Sequence, residues 1–268
     1  MKRISPFACS ALTLLLFLFF SVPKSFSTVF SHGNNDLSAI TTQEKITETK
    51  SLHDYELELQ KEPDNFAVLL NAAYLHLRQG WLYDGKKQRK EHYTLMLKYA
   101  DRALKLNPTD YRAQLLDIIA KGKTIEYLSP GDQVHRVWIL KKDLDALMAS
   151  HGSDPDLIYV LSWLNFKVGR VNSMQKFFAS FLFGGLPEGL TTANALALMK
   201  KAITLRPDYN VYYYDLGLFN QRLGNVEKAN EYFAKAISIA AQNPEEIIYK
   251  QKAEERLQEL NQSSLAKN

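Results

Sequence analysis

The stretch that decides the fold is residues 213–236, YYDLGLFNQRLGNVEKANEYFAKA. Apolar residues recur in it at three- and four-residue spacing, which is the period of a helix face. Gly224-Asn225 interrupts this spacing and predicts a tight turn between two helices. Small residues, which let two helices approach closely, stand at Gly217, Ala229 and Ala236. The stretch therefore predicts a hairpin of two closely packed helices.

Proline punctuates the rest of the chain at similar intervals. Five prolines follow one another at spacings of 45, 47, 52 and 37 residues, namely Pro63, Pro108, Pro155, Pro207 and Pro244. Three of them lie in near-copies of one phrase, QKEPDN, LKLNPTD and TLRPDY. Each phrase predicts a helix end, a Pro that stops the helix, and polar residues that cap the next one. Repeated joints of this kind indicate an all-α fold, an α-solenoid of about ten helices in hairpins.

The hairpin motifs resemble the tetratricopeptide family. Tyr213-x2-Leu216-Gly217 is similar to the start of its helix A, and Ala229-x3-Phe233 with Ala236 to its helix B. Partial copies are predicted upstream, with their small residues and prolines at Ala195, Ala202 and Pro207, and at Ala73, Gly80, Ala103 and Pro108. The second of these carries about eleven extra residues around 81–91 between its helices. A weaker helical pair is predicted at residues 109–128 and 131–150, and an isolated helix B at 43–62. A terminal helix is predicted at 245–260, where it would shield the last apolar surface of the array.

An elaboration separates two of these copies. Tyr159-x3-Trp163-x2-Phe166 predicts one helix, and residues 174–183, MQKFFASFLF, predict a second, very apolar one before the loop GGLPEG at 184–189. This combination resembles the carboxy-terminal part of the regulator of microtubule dynamics family, over about residues 64–243. More distantly it is similar to the T component of TRAP transporters. The resemblance implies a fold of helical repeats. The export signal described next fits a bacterial, exported relative of this family better than a cytosolic microtubule protein.

The first 27 residues predict an export signal. Lys2-Arg3 precede an apolar segment at residues 8–20, and Ser25-Phe26-Ser27 places small residues at a cleavage site. We expect a signal peptide at 1–27, a flexible lead-in at 28–42, the helical array at 43–262 and a polar tail at 263–268. The expected location is therefore periplasmic or extracellular; the alternative is a protein anchored in the membrane by an uncleaved amino-terminal segment.

Composition excludes several classes of function. Three of the 33 basic residues, Lys2, Arg3 and Lys24, lie in the first 27 positions, which hold no acidic residue, so 30 basic and 29 acidic residues remain. That balance argues against nucleic-acid binding. Cys9 is the only cysteine, and none of the six histidines pairs at helical i, i+4 spacing. We expect no metal site, no cofactor and no catalysis, since no nucleophile or acid/base motif stands out.

The basic run at 86–90, KKQRK, is interpreted as a solvated surface loop. The alternative is that it contacts an anionic lipid or an acidic partner.

A stack of helical hairpins presents a concave face lined by each helix A. Counting from Leu216-Gly217, the inner positions are Tyr74 and Arg78, then Tyr159, Trp163 and Lys167, then Tyr214, Gln221 and Arg222. Aromatic residues interleaved with Arg and Gln are typical of a groove for peptides or partner helices. The candidate loop Gly184-Gly185 with Pro187 is predicted to close one side of this groove. The alternative is that Tyr159 and Trp163 only pack between repeats.

The sequence thus favours an exported protein-interaction scaffold. Its partner is expected to be a protein or peptide, within an envelope-associated complex and without nucleic acid. The alternative is an accessory component of a TRAP-type or other solute transport system, in which the helices handle a small-molecule ligand.

Overall fold

The computed structural model describes residues 51–83, 85–242 and 244–265. These residues form eleven α-helices and one 3₁₀ turn, and within them there is no β-strand, which confirms the all-α helical-repeat prediction. The helices are α1 (Leu52–Lys61), α2 (Phe66–Leu82), α3 (Lys86–Leu106), α4 (Tyr111–Thr124), α5 (Pro130–His151), α6 (Pro155–Gly169), α7 (Ser173–Phe183), α8 (Thr192–Leu205), α9 (Asn210–Arg222), α10 (Val226–Ser238) and α11 (Pro244–Leu265). The 3₁₀ turn (Ile125–Tyr127) follows α4. The expected signal peptide and lead-in lie outside the described residues.

The prolines act as helix boundaries. Pro63, Pro108 and Pro207 each come two residues after the last residue of a helix, while Pro155 lies at the start of α6. Polar side chains cap the next helix after the first two joints: Asn65 Oδ1 accepts from the Val68 amide at 3.2 Å, and Asp110 Oδ1 from the Ala113 amide at 3.0 Å. Each cap satisfies one amide that the helix itself leaves without a partner. At the third joint the capping position is Tyr209, and no side chain bonds to the helix amides there.

The described helices divide into two compact units. The first contains α1–α4, the start of α5 as far as Lys141, and α7. Its centre is the hairpin of α2 and α3, where buried side chains follow helical spacing on both helices: Leu69, Ala73 and Leu77, and Tyr93, Met96, Ala100 and Ala103. A Cβ at Gly80 would lie 2.3 Å from the Tyr93 ring, so Gly80 is what lets α3 pack this closely on α2.

The second unit contains the end of α5, then α6 and α8–α11. Here α6 packs on α8, and the crossing is so close that a Cβ at Gly169 would lie 2.4 Å from the Thr192 backbone. In the next hairpin, α9 packs closely on α10, because Gly217 has no Cβ that would meet the Phe233 ring. The last helix, α11, runs to Leu265, three residues beyond the expected end of the array.

One part of the predicted organisation is corrected. The extra residues expected around 81–91 between the helices of a hairpin, and the basic run interpreted as a surface loop, are mostly helical. α2 continues to Leu82 and α3 begins at Lys86, so the connection is only residues 83–85. The insertion therefore lengthens two helices. Within the basic run only Arg89 is buried, and the other four side chains are exposed.

The apolar helix predicted at 174–183 is confirmed as α7. A capping box starts it, with Asn172 Oδ1 accepting from the Gln175 amide at 2.8 Å and Gln175 Oε1 from the Asn172 amide at 3.1 Å. Gly184 ends it with a left-handed φ of 78°, and Gly185 continues at 88°. Trp138 Nε1 donates to the Gly185 carbonyl at 3.0 Å, which ties the loop to α5 within the first unit.

Candidate functional site

A buried carboxylate lies at the centre of the predicted groove residues of the second unit. Asp215 on α9 is 0% exposed, although its neighbours in the chain are mainly apolar and aromatic. Two aromatic side chains of α6 donate hydrogen bonds to its Oδ2: the Tyr159 hydroxyl, and Trp163 Nε1 at 3.0 Å. A buried charge is tolerated only when it is hydrogen-bonded, so these bonds fix both aromatic residues in place. Burial, and then the Asp215 charge, raise the pKa of Tyr159 well above its ordinary value.

Aromatic rings extend from this carboxylate in two directions. Trp163 meets Phe219 edge to face at 4.7 Å between ring centroids, and Phe219 stacks on Phe166 at 3.8 Å. On the other side, Tyr214 contacts Tyr249 of α11 at 5.1 Å. The predicted groove aromatics Tyr159, Trp163 and Tyr214 are therefore all buried, at 0%, 8% and 1% exposure.

Basic side chains border the same aromatic cluster. The Lys167 ammonium lies 5.0 Å from the centroid of Trp163, and the Arg222 guanidinium carbon lies 6.0 Å from it. Arg170, which caps the end of α6, lies 5.5 Å from the centroid of Phe166. Burial, together with the charges of Arg170 and Arg256, lowers the pKa of Arg222 to about 10 although Asp215 opposes the shift. At neutral pH the guanidinium is still charged.

The structure thus brings six of the eight predicted groove residues into one unit. Tyr159, Trp163 and Tyr214 are packed inside this unit. Lys167, Gln221 and Arg222 are partly exposed, although the Lys167 Nζ and Arg222 Nη1 atoms are buried. Tyr74 and Arg78 lie on α2 of the first unit, with the Arg78 guanidinium carbon 6.0 Å from the Tyr74 ring centroid. The candidate loop of Gly184, Gly185 and Pro187 also belongs to the first unit, where Pro187 is buried. That these residues bind a partner stays a prediction.

Sequence reasoning missed three residues of this cluster. Asp215 could have been identified from the sequence, because it lies inside the apolar run YYYDLGLF. An aspartate buried in a packed helix needs hydrogen-bond donors from another part of the chain. Arg170 follows Gly169 at a helix end and carried no motif. Arg256 lies on α11, where its Nη1 bonds Glu259 Oε2 at 2.8 Å, and nothing in the local pattern distinguishes it from other surface arginines.

The first unit contains a second cluster that the sequence did not indicate. His76 on α2 and His92 on α3 place their Nδ1 atoms 3.0 Å apart, and Glu56 Oε1 lies 3.3 Å from His76 Nε2. Burial, and then His92, lower the pKa of His76 to about 4. Across the described ranges, no three or more His, Cys, Asp and Glu side chains are grouped so that they could hold a metal ion. The pair is therefore a neutral imidazole contact at physiological pH.

The fold gives the structural class of this protein, and comparison with known proteins then gives its family. The helices define a helical-repeat protein with a buried aromatic and cationic cluster and, in its described part, no helix long and apolar enough to cross a membrane. The family model "Regulator of microtubule dynamics protein 1-3" matches residues 36–261. The chain belongs to this family.

Two curated relatives are similar over most of the chain. "Regulator of microtubule dynamics protein 2" of Rattus norvegicus is 26% identical over 204 residues, which cover 73% of this chain and 48% of the relative. The protein of the same name from Homo sapiens is 24% identical over 196 residues, covering 71% and 47%. This chain therefore spans about half the length of the curated relatives it matches.

Proposed function

We propose that this protein is a non-catalytic interaction module that binds a protein or peptide partner at the exposed edge of the second unit. The observation that carries this proposal is the arrangement around Asp215. A buried carboxylate holds Tyr159 and Trp163 in place, and the partly exposed residues Lys167, Gln221 and Arg222 lie at the edge of the same cluster. Polar side chains held against a rigid, packed aromatic cluster lose little side-chain entropy when they bind a partner.

The hairpin of α9 and α10 supports a tetratricopeptide-type surface within this proposal. Its glycine and aromatic contact, Gly217 against Phe233, is the packing expected of such a hairpin. Helix A of that hairpin is α9, which carries Gln221 and Arg222, and α6 carries Lys167 in the preceding helical segment. The names of the rat and human relatives concern microtubules.

The proposal also includes export of the chain from the cytoplasm. The basic, apolar and small-residue pattern of residues 1–27 favours a secreted chain, whose partner would then be an envelope or extracellular protein.

Site-specific photocrosslinking in the native host tests partner binding. A photoreactive amino acid replaces Gln221 in one variant and the exposed Lys105 of α3 in the control. We expect a discrete protein adduct at position 221 and not at position 105, identified by mass spectrometry. Equal labelling at both positions, or adducts with small molecules alone at position 221, would contradict a protein-binding role.

A further inference from the structure

Helix α7 of the first unit presents apolar side chains to solvent. Met174, Phe177 and Phe181 are exposed and are spaced by three and four residues, so they lie on one face of the helix. Leu182 and Phe183 at its end are exposed as well, and no residue of α7 is buried. We call the three evenly spaced residues the apolar face of α7. A soluble protein rarely leaves such a patch without a binding partner.

The carboxyl end of α7 packs on α5, which carries an exposed tryptophan. A Cβ at Gly131 would lie 3.2 Å from the Phe183 ring, and Trp138 Nε1 donates to the Gly185 carbonyl at 3.0 Å. Gly131 and Trp138 are seven residues apart, which is two helical turns, so one face of α5 makes both contacts. Trp138 is 47% exposed. An exposed indole ring therefore lies beside the end of α7.

Two lysines of α3 lie next to the start of α5. The ammonium groups of Lys86 and Lys90 are 5.9 and 5.8 Å from the centroid of the Tyr127 ring. Tyr127 ends the 3₁₀ turn, and α5 begins three residues later at Pro130. Both lysines are exposed, and neither pairs with a carboxylate within the described part of the chain. The first turns of α5 therefore connect the lysine pair to the end of α7.

Acidic side chains are scarce around this surface. Residues 171–187 contain one charged residue, Lys176, which is exposed on α7. Two carboxylates lie near the start of α5: Asp132 accepts from Ser129 Oγ at 2.6 Å, and Glu126 has one carboxylate oxygen buried. The apolar face of α7 thus has basic neighbours and no acidic residue of its own, which suits an anionic surface.

We propose that α7 is an interfacial anchor, which inserts its apolar face into an anionic lipid bilayer while Lys86, Lys90 and Lys176 contact the headgroups. This inference goes beyond the proposed function, because it concerns the first unit and a lipid surface. An amphipathic helix with basic neighbours lies in the plane of a membrane, and the 11 residues of α7 are too few to span one.

The exposed residues suit a bilayer better than a protein partner. Protein interfaces seat their aromatic anchors in matching pockets, whereas a bilayer accepts a helix on the surface without one. Tryptophan is favoured at the level of the headgroups, where Trp138 would lie when α7 is inserted. A short apolar segment alone binds a membrane weakly, and a neighbouring basic patch supplies the second contribution that stable binding needs.

Vesicle flotation with the full chain tests the anchor. The vesicles are phosphatidylcholine with 30% phosphatidylglycerol, and phosphatidylcholine alone for comparison. We expect tighter binding to the anionic vesicles, weakened by added salt. Replacing both Phe177 and Phe181 by serine should weaken that binding about tenfold or more, because two aromatic rings no longer leave water. Replacing Lys86 and Lys90 by glutamine should weaken it about fivefold per lysine.

Matched variants of the second unit control for exposed apolar area and for net charge. Leu205 and Ile247 are 44% and 51% exposed, and replacing both by serine should leave vesicle binding unchanged. Lys228 and Lys235 are exposed on α10, and replacing both by glutamine should have little effect. Every variant keeps residues 1–50, so any contribution of that segment is common to all. Equal binding of the wild type, the phenylalanine variant and the α3 lysine variant would overturn the proposal.

Trp138 supplies a spectroscopic readout of the same event. Anionic vesicles whose acyl chains carry bromine near the headgroups should quench its fluorescence, because Trp138 lies beside α7. Trp138→Phe should lose most of this quenching, since Trp163 is only 8% exposed and Trp81 is half-buried. Quenching of the same extent in Trp138→Phe would overturn the proposed orientation on the membrane.

Photocrosslinking in the native host separates a lipid surface from a protein partner. A photoreactive amino acid in place of Phe177 should give lipid adducts. A discrete adduct with another protein, or with a second copy of this chain, would overturn the bilayer assignment. The result is independent of position 221, which lies in the other unit. Lipid adducts at position 177 without protein adducts at position 221 would support the anchor and contradict the proposed function, and the converse result would do the opposite.

Discussion

Gly217 of α9 lies where α9 and α10 cross so closely that a larger side chain would clash. A Cβ there would lie 2.7 Å from two carbons of the Phe233 ring, and the ring must shift within the core to accept it, since Phe233 is 0% exposed. Alanine usually stabilises a helix relative to glycine. At this position the steric conflict outweighs that preference.

We therefore expect Gly217→Ala to lower the free energy of unfolding by about 1–3 kcal/mol, the usual cost of overpacking a core. Gly122→Ala is the matched control, because Gly122 lies in α4 and a Cβ there meets nothing within 4 Å. That substitution should raise the free energy of unfolding by about 0.5–1 kcal/mol. Urea unfolding followed by circular dichroism measures both. A stabilising Gly217→Ala would show that α9 and α10 cross less closely than described.

His76 makes stability depend on pH. Burial, then His92, lowers its pKa to about 4, while an unfolded histidine titrates near 6.5. Between these values the unfolded chain takes up a proton that the folded chain does not, so the native state loses stability as the pH falls. From pH 7 to pH 5 this one site should cost the wild type about 2 kcal/mol.

Urea unfolding at pH 7 and pH 5 measures this effect. We expect His76→Gln to lose about 2 kcal/mol less than the wild type over this interval. His135→Gln, at an exposed position on α5, is the matched control variant. Identical pH profiles for the wild type and His76→Gln would mean that His76 is not kept neutral in the native state.

At the scale of one element, α7 is unusual because its apolar residues are not covered. Met174, Phe177 and Phe181 are spaced by three and four residues, and they are 66%, 63% and 75% exposed. The Phe177 and Phe181 rings stack on each other at 6.2 Å. A capping box and a left-handed Gly184 define both ends of the helix, so its stability does not require these rings to be buried.

Replacing both Phe177 and Phe181 by serine should therefore change the melting temperature little, because exposed substitutions usually shift stability by no more than about 0.5 kcal/mol each. The same variant should bind less of the dye ANS, which reports exposed apolar surface. Phe219→Ala is the contrasting variant: Phe219 is 0% exposed, and its loss should cost about 3–5 kcal/mol. A large loss of stability in the double variant would show that these two rings are buried in solution.

At the scale of the whole molecule, the helices form two compact units, each with its own set of close helix crossings. The cluster around Asp215 belongs entirely to the second unit, and the histidine pair entirely to the first.

The amino-terminal segment gives a prediction about cleavage of the chain. Residues 1–27 lie outside the described part, and their pattern predicts cleavage after Ser27. Amino-terminal sequencing of protein recovered from the host envelope should begin at or near Thr28. Retention of Met1 in a membrane fraction would instead indicate the uncleaved anchor.

Features set by neighbours in the chain could be predicted from the sequence alone. Helical period, proline joints and the polar caps Asn65 and Asp110 act over three to five residues, so the all-α repeat fold and the helix α7 followed directly. The close crossing at Gly217 was also predictable, since a small residue facing an aromatic one within a single hairpin involves only two adjacent helices. The length of α2 and α3 was not predictable, because α3 begins at Lys86, inside a charged run whose local composition is that of a loop.

Only the tertiary structure decided what lies around Trp163. The bond from Trp163 to Asp215 spans 52 residues, and the basic cluster draws on three helices. Local sequence patterns do not predict which distant residues pair. These contacts are selected by the free energy of burying a charged side chain together with its hydrogen-bond donors. The same reason explains why three aromatics predicted to line a groove are buried: a helix face that looks suited to a ligand is equally suited to a neighbouring helix. Which of the two occupies it depends on the packing of the whole unit.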